Sequence, residues 1–174
     1  MNADSSSETL DPTDLRVLEQ LQRDAAVSNQ QLAERLSVSP ATSHRRVRRL
    51  QEIGVIERQV AVLSPQRLKA CGAGALIAIV EVTLDIQSAE RIESFEARAV
   101  ADAAVQQCYR VSPGPDFVLV LAVADMEHYE ALARRLFTDD ANVRNVRSYF
   151  SVKRAKFGTE LPLPGLPGLP GAAT

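Results

Sequence analysis

The sequence predicts an α+β protein made of two parts, a bundle of three helices and a four-stranded sheet with two helices. Two observations support this prediction. Three segments before residue 54 repeat apolar residues at helical spacing, and each begins with a capping side chain. After residue 74, stretches rich in apolar residues typical of strands alternate with two helical patterns in the order βαββαβ, which is the ferredoxin-like arrangement.

Each of the three N-terminal helices has its own start signal. The first and the third pair a capping side chain with proline at the first helical position, and the second begins with a Ser-x-x-Gln capping box. Gly54 stops the third helix, because glycine readily adopts the backbone conformation that ends helices. Only a few residues separate the second and third helices, as in a helix-turn-helix. The predicted spans are 12–24, 28–37 and 39–53.

The third helix carries a local concentration of positive charge. Four arginines lie between His44 and Leu50 with no acidic residue among them, although the whole chain has a net charge of −2. A helical projection turns Ser43, Val47 and Leu50 toward the first two helices and leaves most of the arginines pointing away. A role in nucleic-acid binding must therefore rest on this local patch.

In a major groove, the first turns of such a helix reach base edges and later basic residues meet phosphates. We therefore expect Ala41, Thr42 and Arg45 to read bases, and Arg46, Arg48 and Arg49 to neutralise the DNA backbone. Backbone amides at the two serine caps suit phosphate oxygens. The alternative is a solvated charged face. The candidate DNA-binding residues are Ser28, Asn29, Ser39, Ala41, Thr42, His44, Arg45, Arg46, Arg48 and Arg49.

The chain between the helices and the sheet has two parts. Val60 and Val62 alternate with other residues, which predicts a short hairpin or an extended arm. The stretch that follows carries two glycines and is predicted to be a linker. The predicted boundaries are 10–64 for the helical domain, 65–73 for the linker and 74–158 for the βαββαβ domain.

The third strand of the βαββαβ domain is apolar on both of its faces. Phe117, Leu119 and Leu121 lie on one face, and Val118 and Val120 lie on the other. Two helices can cover only one face of a four-stranded sheet, so a second subunit should cover the other. The domain is therefore expected to oligomerise. Its predicted elements are 75–84, 88–101, 104–111, 116–124, 126–137 and 143–152.

Few residues could support catalysis or hold a metal. The chain has two histidines, His44 and His128, and its two cysteines, Cys71 and Cys108, lack the paired spacing of a zinc or redox motif. It also lacks a glycine-rich phosphate loop. We therefore expect no enzyme activity, no catalytic residue, no metal and no cofactor. The cysteines are expected to be buried, reduced thiols of a cytosolic protein.

Both ends of the chain have the composition of tails. Residues 1–9 are polar and serine-rich, unlike a secretory leader, and the longest apolar run is far shorter than the roughly 20 residues of a membrane-spanning helix. A soluble cytoplasmic protein is expected. The other end reads LPLPGLPGLPGAAT, which excludes a helix or a central strand. We predict a flexible Pro/Gly-rich tail over 159–174, with a proline-rich docking peptide as the alternative.

Two segments carry a resemblance to a known family. They read LDPTDLRVLEQLQRDAAVSNQQLAERLSVSP and RRVRRLQEIGVIERQVAVLSP. With them, the chain from Leu10 to about Phe157 resembles the leucine-responsive/asparagine-responsive (Lrp/AsnC) family of transcription factors. The resemblance implies a winged helix-turn-helix on double-stranded DNA, an arm, and ferredoxin-like effector domains that pair into homodimers. It further implies assembly to tetramers or octamers, and an amino acid or related metabolite bound between effector domains.

The family has a Gly-x-x-Asp-Tyr/Phe turn beside the ligand. Asp116 and Phe117 match this turn, but Pro113 stands where the glycine is expected and Gly114 lies one place later. Proline has a fixed φ and no amide hydrogen, so the backbone of the turn is altered. The alternative for Asp116 is a plain turn residue. The candidate effector-binding residues are Val111, Gly114, Asp116, Phe117 and Ser148.

Three functions are weighed on this sequence. The main hypothesis is a sequence-specific transcriptional regulator of the Lrp/AsnC type, modulated by an amino acid or related metabolite. The second is a metabolite-binding oligomer whose helical domain contacts proteins instead of DNA. The third, an enzyme acting on amino acids, would need titratable groups that the sequence does not supply.

Overall fold

The computed structural model of the protein describes residues 9–164, which form two compact units. The first unit comprises the described residues before Leu63 together with those from Lys156 onward, and the second is Leu63–Ala155. Residues 1–8 and 165–174, which were assigned to the two predicted tails, lie outside the described residues.

Three helices form the first unit, and their caps are those that the sequence predicts. The Asp11 side chain accepts hydrogen bonds from the first turn, and Asp14 completes a capping box with it. Ser28 and Gln31 form the second capping box. Buried leucine and valine side chains from all three helices make one apolar cluster. The helices are α1 (Pro12–Arg23), α2 (Asn29–Leu36) and α3 (Pro40–Glu52).

The turns around α3 place that helix. Ser37 ends α2 in the left-handed conformation, and the Ser39 side chain accepts a hydrogen bond from the Thr42 amide at the start of α3. Gly54, with φ +74°, follows the end of α3 as predicted. Beyond it, Val60 and Val62 are exposed and the described residues 55–64 contain no strand. The alternative of a hairpin is therefore not observed in this segment, which is called the arm below.

The predicted linker contains a short helix, α4 (Pro65–Ala70). The Ser64 side chain caps it by accepting a hydrogen bond from the Arg67 amide. This corrects the prediction for 65–73, and the signal was available, because Ser64-Pro65 repeats the cap-plus-proline pattern that starts α3.

Cys71 at the C-terminal end of α4 is exposed, and Cys108 is half-buried with its pKa raised by desolvation. The expectation that both thiols are buried was wrong.

The second unit has the predicted βαββαβ order. Its four strands form one antiparallel sheet in the order β2-β3-β1-β4. The second helix of this unit was predicted over 126–137. It differs from that prediction because it ends in a π-helical turn at Arg134–Thr138. Among residues 9–164, no helix is long and apolar enough to cross a membrane. The elements are β1 (Leu76–Leu84), α5 (Ala89–Ala101), β2 (Val105–Arg110), β3 (Phe117–Val123), α6 (Met126–Ala133) and β4 (Val143–Phe150).

The two faces of this sheet have different surroundings. The face that carries Val80 and Leu119 packs against α5 and α6, and it is buried along the two central strands β1 and β3. None of the helices described in this unit packs on the opposite face. Ile79, Tyr109 and Tyr149 on that face are 43%, 52% and 51% exposed. The third strand, β3, therefore carries apolar residues on both faces as predicted, and one of these faces is not covered by α5 or α6.

Candidate nucleic-acid interface and effector turn

The exposed side of α3 brings together four of the predicted DNA-binding residues. Ala41, His44, Arg45 and Arg48 are exposed and follow one another at helical spacing. Thr42 is half-buried, and its hydroxyl forms a hydrogen bond of 2.8 Å with the Ser39 hydroxyl. The side of α3 that a groove would meet is therefore a narrow stripe, with Ala41 near its start and two arginines further along.

The residues before α3 support the start of that helix. Asn29 Nδ2 donates a 2.9 Å hydrogen bond to the Pro40 carbonyl, which ties the first turn of α2 to the first turn of α3. The hydroxyls of Ser28 and Ser39 accept hydrogen bonds from amides within their own helices. Ser28, Asn29 and Ser39 thus fix the turn, and all three are exposed.

Arg46 and Arg49 do not share the exposed stripe. Arg46 Nη1 lies 2.7 Å from Asp14 Oδ1, and Arg49 Nη1 lies 3.0 Å from Asp14 Oδ2. Arg46 Nη1 is also 2.6 Å from Asp11 Oδ2. The Asp14 side chain is only 1% exposed, whereas those of Arg46 and Arg49 are 24% and 32% exposed. The structure thus turns these two arginines, which were predicted to meet phosphates, toward carboxylates of α1.

This carboxylate cluster has a clear electrostatic consequence. Burying a carboxylate is unfavourable unless charged donors satisfy it, and both oxygens of Asp14 accept hydrogen bonds from arginine. Hydrogen bonds to Asp11 and Asp14 raise the pKa of Arg46. Desolvation acts to raise the pKa of Asp11, but hydrogen bonds from the Asp14 amide and from Arg46 outweigh it and lower that pKa. The cluster fixes α3 against the start of α1.

Arg48 is held differently from its neighbours. Its Nε lies 2.8 Å from Glu52 Oε1, and the two side chains are 71% and 59% exposed. An exposed pair of this kind contributes little to stability. Arg48 can therefore exchange Glu52 for a phosphate oxygen at small cost.

The predicted effector turn is built around Asp116. Its Oδ2 accepts a 2.7 Å hydrogen bond from the Leu84 amide, and its own amide donates to the Val82 carbonyl at 2.9 Å. The turn residue Gly114 has φ +119°, a conformation that favours glycine, and no other atoms lie within 4 Å of where its Cβ would be. The Asp116 carboxylate therefore ties the turn to the end of β1.

The structure separates the other predicted effector residues. Val111 lies in the turn, and its amide donates to the Asp116 carbonyl. The Phe117 side chain is fully buried, with its ring 4.9 Å from that of Phe95, so only its backbone borders the turn. Ser148 lies on β4, two strands away from the turn, and forms a hydrogen bond with the Tyr129 hydroxyl.

The sequence did not indicate a cleft that lies between the π-helical turn and β4. It has a volume of about 240 Å³. A π-helical turn breaks the regular helix pattern and cannot be foreseen from apolar spacing. The lining residues are Tyr129, Ala133, Phe137, Thr138, Val143, Arg144, Asn145 and Val146.

Comparisons with known proteins agree with both units. Residues 10–57 match the model of a winged helix-turn-helix DNA-binding domain, and residues 77–161 match that of the Lrp/AsnC ligand binding domain. The leucine-responsive regulatory protein of Escherichia coli (strain K12) is 32% identical over 152 residues, which cover 87% of this chain and 90% of that protein. The chain belongs to the Lrp/AsnC family. It is a DNA-binding transcriptional regulator with a ligand-binding domain.

Three further proteins extend this similarity. An uncharacterized HTH-type transcriptional regulator of Haemophilus influenzae is 38% identical over 149 residues, covering 86% of each chain. The crystal structure of an AsnC family transcriptional regulator from Agrobacterium tumefaciens has a TM-score of 0.75 and 29% identity, covering 88% of this chain and 97% of that one. A Neisseria meningitidis transcriptional regulator, solved as an L-Met complex, has a TM-score of 0.75 and 28% identity, covering 90% and 98%.

The buried Asp14 provides a test of the cluster. Asp14→Ala leaves Arg46 and Arg49 without their shared carboxylate, and we expect the free energy of unfolding to fall by about 2–3 kcal/mol in urea titrations. Glu52→Gln, which breaks the exposed pair with Arg48, is the matched control and should change it by less than about 0.5 kcal/mol. Equal effects of the two substitutions would contradict a structural role for the cluster.

Proposed function

We propose that this regulator reads duplex DNA through the exposed stripe of α3. Ala41, Thr42 and Arg45 are the base-reading residues, since an arginine can bind guanine through two hydrogen bonds and a small side chain can meet a thymine methyl group. The observation that carries the proposal is the exposure of Ala41 and Arg45 on the same side of a capped, firmly held helix. His44 lies on that side as well.

The remaining residues of the interface divide into two roles. Arg48 and the backbone amides near Ser28 and Ser39 contact phosphates. Arg46 and Arg49 act on DNA binding indirectly, because their hydrogen bonds to Asp14 set the orientation of α3. The relatives described above are transcriptional regulators, which supports this function over an enzymatic one.

Two substitutions separate base reading from phosphate contact. Arg45→Ala should weaken binding to the preferred duplex by about 1–3 kcal/mol and relax sequence choice, whereas Arg48→Ala should weaken all duplexes alike and reduce the salt slope by about 1. Fluorescence anisotropy on a selected and an unrelated duplex, over a series of salt concentrations, measures both effects. Arg91→Ala on α5 is the control.

The assignment fails if both arginine variants bind the selected duplex as the unaltered protein does. A flat salt titration of the unaltered protein would instead favour protein contacts by the helical domain, because phosphate contacts require affinity to fall as salt rises.

We also propose that the protein is a homodimer that pairs through the open face of the sheet and assembles further to tetramers or octamers. Ile79, Tyr109 and Tyr149 are large apolar or aromatic side chains exposed on one continuous face. The arm offers Val60 and Val62, which are also exposed, to a second copy. Contiguous apolar surfaces of this kind are typical of subunit interfaces.

The sheet face can be tested by placing a charge in it. Ile79→Asp should shift the molar mass measured by light scattering from that of an oligomer to that of a smaller species. The control is Ile86→Asp, because Ile86 is also exposed but lies in a loop after β1. An unchanged mass for Ile79→Asp would exclude this face as the interface.

We further propose that an amino acid or related small metabolite binds at the turn of residues 111–117 in the assembled protein. The match to a ligand binding domain supports this, as does the L-Met complex of the similar Neisseria meningitidis regulator. The Asp116 carboxylate holds the turn in place, while Val111 and Gly114 offer backbone groups. Ser148 lies too far across the sheet to share this turn within one chain.

A panel of the twenty amino acids tests ligand binding. An amino acid that binds the folded protein should raise the melting temperature, with about 2.7 kcal/mol of stabilisation at 100 times its Kd. Gly114→Ala, which strains the turn at φ +119°, should reduce the shift. A panel in which neither melting temperature nor assembly state changes would argue against an amino-acid effector.

A further inference from the structure

The C-terminal segment 159–164, which belongs to the flexible tail predicted over 159–174, lies along the end of α1. The Gln22 side chain and the Leu161 backbone form two hydrogen bonds. The Leu161 amide donates to Gln22 Oε1 at 2.8 Å, and Gln22 Nε2 donates to the Leu161 carbonyl at 3.1 Å. The backbone amide and the backbone carbonyl of Leu161 are thus both paired with the side-chain amide of Gln22, as backbone groups are paired between two strands.

Two further contacts hold the same segment. Glu160 Oε2 lies 3.5 Å from Arg23 Nε, next to the Gln22 clamp. Leu163 is half-buried and packs against the apolar cluster that contains Val17 and Leu50. A polar clamp, an ion pair and an apolar contact therefore act within a few residues, and the segment is part of the first unit.

The sequence of the segment suits this docking. Pro162 and Pro164 fix φ and restrict the free chain to extended conformations, so less conformational entropy is lost when the segment is ordered. Neither proline has an amide hydrogen, and Leu161 just before them carries the amide that Gln22 needs. Leu163 between the prolines is the side chain that reaches the cluster.

We propose that residues 159–164 form a strap whose binding surface is the C-terminal end of α1, with Gln22 as the clamp that recognises it. The occupant of this surface is the chain's own C-terminal segment. This corrects the prediction of a flexible tail for 159–164 and favours the docking-peptide alternative for that part.

The strap gives the ligand-binding domain a second covalent connection to the DNA-binding domain, a consequence that rests on the proposed function. The chain passes between the two units once at Leu63 and again at Lys156. β4 ends at Phe150, and residues 151–158 lead from it to the strap. Because α1 also holds α3 through Asp14, the strap and the recognition helix are supported by the same helix.

Two shortened chains and two substitutions test the strap. A chain that ends after Pro164 keeps it, and a chain that ends after Gly158 loses it. Gln22→Ala removes the clamp, and Gln20→Ala on the same helix is its matched control, since Gln20 has only a 3.4 Å contact with Arg35. All four are compared by hydrogen exchange and thermal melting without DNA.

We expect faster exchange in α1 and a melting temperature lower by about 2–4 °C for Gln22→Ala and for the chain ending after Gly158. Gln22→Ala should also speed exchange in residues 159–164. Gln20→Ala and the chain ending after Pro164 should have the exchange rates and melting temperature of the unaltered protein. Duplex affinity of the chain ending after Gly158 should fall severalfold below that of the chain ending after Pro164.

Identical exchange and melting in all four chains would overturn the strap. If that occurs while the unaltered protein still binds duplex DNA with a steep salt dependence, only this inference fails. If exchange shows the strap but the unaltered protein binds no duplex, the proposed function fails and the strap remains.

Discussion

The buried carboxylate of Asp14 is the constraint on which the DNA-binding half of this protein depends. It is almost fully removed from solvent, and it is stable there because Arg46 and Arg49 supply charged hydrogen-bond donors and the Asp11 amide supplies a further donor. Both arginines belong to α3. Because the buried carboxylate of Asp14 in α1 needs these donors, it holds the recognition helix in position. The orientation of the exposed stripe follows from this contact.

The cluster divides four neighbouring arginines into two groups. Arg46 and Arg49 face α1 and orient α3, whereas Arg45 and Arg48 are exposed to solvent. The strap contacts the opposite end of the same helix, where Gln22 holds Leu161. α1 is therefore the element to which both the recognition helix and the C-terminal segment are attached.

In the ligand-binding half, the two faces of the sheet have different surroundings. Its buried face packs on α5 and α6, and its open face carries exposed side chains suited to a second subunit. The turn around Asp116 is held by the Leu84 amide and is not a free carboxylate site. The backbone of this turn contains Pro113 and Gly114, which differ from the family pattern.

The sequence by itself determined the order of elements, the caps at Asp11, Ser28 and Ser39, the two apolar faces of β3 and the exposed position of Arg45, because each depends on local spacing. Only the tertiary structure decided the partners of Arg46 and Arg49 and the docking of Leu161 on Gln22. These contacts join residues 32 to 139 positions apart. Helical projection shows which way a side chain points, but not what another segment places there.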